Sequence, residues 1–81
     1  HMGWNDVHNL RGDLFKGLPE NSYLYFVHSY AVPLNAATTA TAAYGQSFSA
    51  AVQIDNFYGV QFHPEKSGDN GLLILKNFLN L

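Results

Sequence analysis

Residues 59–68 read GVQFHPEKSG. The stretch opens as the end of an apolar strand, and Pro64, which has no N–H to donate, ends the ladder. Lys66, Ser67 and Gly68 then make a turn. If strand geometry persists to its end, residues two apart share a face, so His63 and Glu65 sit side by side. A carboxylate bonded to one imidazole nitrogen fixes the tautomer and leaves the other nitrogen free as a general base near neutral pH. Such a pair ordinarily activates Cys or Ser, and the chain contains no cysteine. Ser29, Ser47 and Ser67 qualify by type only, because none sits in a Gly-x-Ser-x-Gly elbow. On residue types alone, His-x-Glu reads equally as a solvated loop end.

Working outward, residues 57–62 (FYGVQF) pair with residues 48–54 (FSAAVQI) as an antiparallel hairpin turning at Asp55-Asn56, with Phe48, Ala50, Val52 and Ile54 on one face. Residues 23–30 (YLYFVHSY) follow the turn-forming LPENS of 18–22 and read as a buried strand, closed by Pro33. Residues 36–44 (AATTATAAY) suit a helix by their Ala and a strand by their Thr; the turn at Gly45-Gln46 favours strand. Residues 71–81 (GLLILKNFLNL) predict a helix capped by Asp69 or Ser67, with Leu72, Leu75, Phe78 and Leu79 as a core or sheet-covering face. The first twenty residues are irregular, with a short helix near 13–17. The expected fold class is α+β: three or four mainly antiparallel strands followed by one C-terminal helix.

At 81 residues the chain is one small domain at most, and a chain of this size buries only about 60% of its unfolded surface. Hydrophobic residues make up 47% and charged residues 12%, half the roughly 25% usual in soluble domains, so the surface wants covering. The chain reads as a piece of something larger. Net charge is −2, and Arg11, Lys16, Lys66 and Lys76 are scattered singly, which excludes a phosphate-tracking stripe and argues against nucleic-acid binding. No apolar run approaches the ~20 residues that span a bilayer, so a cytoplasmic setting without membrane contact is the expectation. His-x-Glu also occurs in zinc deaminases, but the Pro-Cys-x-x-Cys they require is missing, so no metal is expected.

The string Gly59-Val60-Gln61-Phe62-His63-Pro64-Glu65, with Tyr58 before it and Lys66-Ser67-Gly68 after it, resembles the signature that completes the active site of class I (triad-type) glutamine amidotransferases. Within that family, Lys66-Ser67, Gly3-Trp4-Asn5 and residues 25–30 (YFVHSY) resemble the glutaminase subunits that deliver ammonia to a (β/α)8-barrel cyclase in histidine biosynthesis. The likeness runs over nearly the whole chain but matches only the C-terminal part of the family's α/β domain. Residues 1–81 are therefore expected to lack the N-terminal half, which in the family carries the parallel strands, the oxyanion turn and the nucleophilic Cys. His1 and Met2 fit either a Pro-His-Met that the family often has before Gly-Trp-Asn or a remnant of cloning.

The resemblance implies that His63 and Glu65 are catalytic. His63 relays a proton between the Cys and the leaving ammonia, and Glu65 orients it. Ser29 and Tyr30 match the segment that holds the substrate glutamine. Lys66 matches a lysine that meets an acidic residue of the cyclase, and Trp4, Tyr25 and His28 match positions beside that contact. No cofactor is implied. The expected partners are glutamine, the cyclase subunit and the missing N-terminal half, with a homo-oligomer of the piece as a further possibility. Plainer readings stand beside these: His28 as a satisfied core histidine, Trp4 and the tyrosines as core, and Lys66 as a solvated turn residue. Two other functions also stay open, another class I amidotransferase and a non-catalytic interaction module that keeps the fold.

Overall fold

A computed structural model describes residues 2–27 and 31–81. Among these residues, five strands form two antiparallel sheets. One pairs β1 (Met2–Val7) with β2 (Ser22–Val27), and the other runs in the order β3 (Thr38–Tyr44), β4 (Gln46–Ile54), β5 (Phe57–Val60). Single 3-10 turns occupy Asp13–Phe15 and Pro64–Lys66, and one helix, α1, spans Gly68–Leu79. The α+β expectation, antiparallel strands with a C-terminal helix, matches this architecture, although the described residues hold five strands where three or four were expected, β1 being the addition. The helix expected near 13–17 is the shorter 3-10 turn.

β1 departs from the expectation that the first twenty residues are irregular. It has no apolar alternation to read: Trp4 is exposed, Asn5 and Asp6 are half-buried, and Val7 alone is buried among residues 3–7. Its partner makes it a strand. Trp4 lies opposite Tyr25 and Asp6 opposite Tyr23 in the β1–β2 ladder, and the Asn5 side chain donates to the Ala43 carbonyl at 2.8 Å. β2 shows the two-residue period plainly, with Leu24 and Phe26 buried and Tyr23 and Val27 exposed.

The Thr-rich stretch is β3, and its composition follows from burial on both faces. Residues 32 and 33 bond to the adjacent β4, where Ser49 N–H donates to Val32 O and Ser49 Oγ donates to Pro33 O. Thr38 Oγ1 and Ser49 Oγ share a hydrogen bond of 2.6 Å, so these buried hydroxyls are satisfied. The β4–β5 hairpin turns at Asp55-Asn56 as expected, with Asp55 at φ 54°. Ile54, expected to share the buried face of Phe48, is exposed at the hairpin tip.

Two bridges join the sheets, His8 with Thr41 and Phe26 with Phe62. Between them runs a chain of edge-to-face rings: Phe15 to Phe62 at 6.3 Å, Phe62 to Phe26 at 5.9 Å, and Phe26 to Phe48 at 5.9 Å. This chain ties the first 3-10 turn, β2 and β4 into one core, each contact contributing about 0.5–1.5 kcal/mol beyond area burial.

α1 docks on a different face from the one its Leu spacing suggests. Gly71 and Ile74 are buried, while Leu72, Phe78 and Leu79 are 65%, 52% and 82% exposed and Leu75 is exposed as well. The cause is a close backbone approach. A Cβ on Gly71 would overlap the Pro64 carbonyl oxygen and lie 2.8 Å from its carbon, so only glycine lets the helix seat against the Pro64–Lys66 turn. Asn77 then fixes the far end by donating to the Leu14 and Lys16 carbonyls at 3.0 and 2.8 Å. The Leu72/Leu75/Phe78/Leu79 stripe is left facing outward.

Candidate active site

The chain reaches the site along the segment after β5. Phe62 is still opposite Phe26, and His63 N–H donates to Tyr25 O at 2.8 Å. Pro64 has no N–H, and with its φ preset for a turn it starts the Pro64–Lys66 3-10 turn, whose i to i+3 bonds run from Lys66 N to His63 O and from Ser67 N to Pro64 O.

His63 and Glu65 do come together, with Nδ1 2.9 Å from Glu65 Oε2. The reason differs from the one expected. Strand alternation does not persist through Glu65; the 3-10 turn doubles the chain back so that the carboxylate reaches the imidazole. The dyad is open to solvent, with side chains 39% and 60% exposed. Glu65's own backbone N–H, and after it the His63 imidazole, hold the carboxyl below the ordinary glutamate range. An ionised carboxylate only accepts hydrogen bonds, so Nδ1 must carry the proton and Nε2 is left free to take one.

The other expected residues divide. Trp4 and Tyr25 are cross-strand partners with ring centroids 5.7 Å apart at 74°, and the Tyr25 main chain is bonded to His63, so this aromatic pair is continuous with the dyad turn. Lys66 is exposed in the same turn, next to Glu65. His28, Ser29 and Tyr30 lie outside the described residues. Ser67, one of the hydroxyls that qualified by type as a nucleophile, is buried and fully engaged: it accepts from Tyr25 N–H at 2.9 Å and donates to His63 O at 2.6 Å. It is the N-cap residue of α1 but makes no side-chain cap bond. Nothing in the sequence pattern marks Gly71 as a docking residue beyond its place as a glycine in the first turn of the helix, directly before the apolar residues 72–75.

Residues 1–81 match the glutamine amidotransferase class-I family, and the chain belongs to that family. It is 58% identical over 82 residues to the imidazole glycerol phosphate synthase subunit HisH of Escherichia coli (strain K12). To the same-named subunits of Shigella flexneri and Salmonella typhimurium (strain LT2) it is 58% and 57% identical. Each alignment covers 100% of this chain and 42% of the relative, so the chain spans less than half the length of these curated relatives.

Proposed function

We propose that this chain is the C-terminal part of the glutamine-hydrolysing subunit of an imidazole glycerol phosphate synthase, and that it supplies the His and Glu of a Cys-His-Glu triad. The observation that carries the reading is the 2.9 Å Nδ1–Oε2 contact inside the Gly-Val-Gln-Phe-His-Pro-Glu string. In this account a Cys thiolate from the remainder of the protein attacks the side-chain amide of glutamine. His63 Nε2 takes up the thiol proton and returns it to the departing ammonia, while Glu65 holds Nδ1–H and stabilises the imidazolium. Water, deprotonated by the same imidazole, then releases glutamate from the thioester.

Ser29 and Tyr30 hold the glutamine in this reading. Trp4, Tyr25, His28 and Lys66 face a (β/α)8-barrel cyclase, which receives the ammonia for histidine biosynthesis in the cytoplasm. The continuity of the Trp4–Tyr25 pair with the dyad turn supports one surface serving both purposes. The outward Leu72/Leu75/Phe78/Leu79 stripe, with the small apolar groove between α1 and β5 lined by Tyr58, Val60 and Ile74, supports a remainder of the domain packing there.

The chain alone has no sulfur nucleophile and is expected to release no ammonia from glutamine above a buffer blank. Mixed with a Cys-bearing N-terminal part it should release ammonia, and His63→Ala should abolish that release. Turnover by the chain alone, or rescue that survives His63→Ala, overturns the assignment.

A further inference from the structure

At residues 25 and 63 the antiparallel ladder is missing one of its two bonds. A hydrogen-bonded antiparallel pair exchanges two backbone bonds. Here His63 N–H reaches Tyr25 O directly at 2.8 Å. The return bond runs through a side chain: Tyr25 N–H donates to Ser67 Oγ at 2.9 Å, and Ser67 Oγ–H donates to His63 O at 2.6 Å. Ser67 as a residue is 2% exposed, so its hydroxyl is held away from bulk water. It sits four residues beyond the histidine, across the 3-10 turn that carries Glu65.

We infer that Ser67 is a positioning residue for the proposed glutaminase reaction: its hydroxyl, inserted into the β2 ladder, fixes the His63 main chain so that the imidazole keeps its place while exchanging protons. The inference rests on the assignment of His63 as the proton carrier. Glu65 sets the rotation of the ring through Nδ1, but that contact is solvent-exposed and sets nothing about where the His63 Cα lies. Ser67 supplies that second constraint, and it does so from β2, whose Tyr25 pairs with Trp4. A displacement of the base by about 1 Å can cost on the order of 10²-fold in rate without loosening the substrate.

The test uses the intact longer protein with Ser67→Ala, Ser67→Cys and His63→Ala, following glutamine hydrolysis and the amide exchange of Tyr25. Ser67→Ala should lower kcat by about 10²-fold with KM within about twofold, and should speed exchange of the Tyr25 amide. Ser67→Cys, which keeps a weaker donor and acceptor, should fall between Ala and the parent on both readouts. If Ser67→Ala does not fold, the Cys variant decides by the same two measurements. Unchanged kcat with Ser67→Ala, or a loss carried by KM alone, overturns the inference. Full activity in His63→Ala overturns the underlying assignment instead, and a changed Tyr25 exchange rate would then still report the inserted hydroxyl.

Discussion

Gly71→Ala separates two forces that act in opposite directions at one position. Helix propensity alone makes Ala the better residue by up to about 1 kcal/mol. The packing predicts the reverse, because the added methyl would overlap the Pro64 carbonyl oxygen and lie 2.9 Å from Ser67 Cβ. Ordinary contact requires the helix or the turn to move by on the order of 1 Å. The atom displaced is the one that accepts Ser67 N–H at 3.1 Å, a bond worth about 1 kcal/mol net. Overpacking of this kind costs about 1–3 kcal/mol. With the weakened bond added and the propensity gain subtracted, the variant should be less stable by about 1–3 kcal/mol. Equilibrium urea unfolding of the proposed longer protein, with m of about 2 kcal/mol/M, should show the midpoint falling by about 0.5–1.5 M at unchanged m. A midpoint equal to or above the parent would refute the close approach of α1 to the dyad turn.

The Glu65 carboxyl, followed by carbon NMR in a pH titration, should titrate below the ordinary glutamate range. In His63→Ala its midpoint should rise but stay depressed, because its own backbone N–H is the larger cause. Since the folded value is the depressed one, any stability Glu65 lends is present above its unfolded value and is lost as pH falls through the folded value. Phe26→Ala removes the ring that packs edge-to-face on two others in the core and should destabilise the proposed longer protein by about 3–5 kcal/mol in denaturant unfolding. The chain by itself should self-associate through its apolar helix stripe in light scattering. Leu72→Glu with Leu79→Glu should return it toward the monomer, while a parent chain monomeric at high concentration would count against the stripe needing cover.

The strands with their own pattern were legible: β2 through Leu24 and Phe26, and the β4–β5 hairpin through its Asp55-Asn56 turn. β1 was not, because its regularity comes from pairing with β2 while its side chains carry no alternation. For α1 the helical period was readable but the docking face was not. Leu72, Leu75, Phe78 and Leu79 have the hydrophobicity of a core face, yet a glycine decides which side meets the rest of this chain, and close backbone approach leaves no trace in a hydrophobic pattern. The dyad was identifiable from residue types and from the family string, while its geometry depended on a 3-10 turn that two-residue spacing does not anticipate. Ser67 looked like a cap or a nucleophile because sequence separation hides its contact with Tyr25, 42 positions away.

The central claim is that an ionised Glu65 holds His63 as the Nδ1–H tautomer with Nε2 bare. Ring nitrogen NMR of His63, at a pH where the imidazole is neutral, reads this directly. The account predicts a protonated Nδ1 and an unprotonated Nε2; a proton found on Nε2, or shared evenly between the two nitrogens, would contradict it.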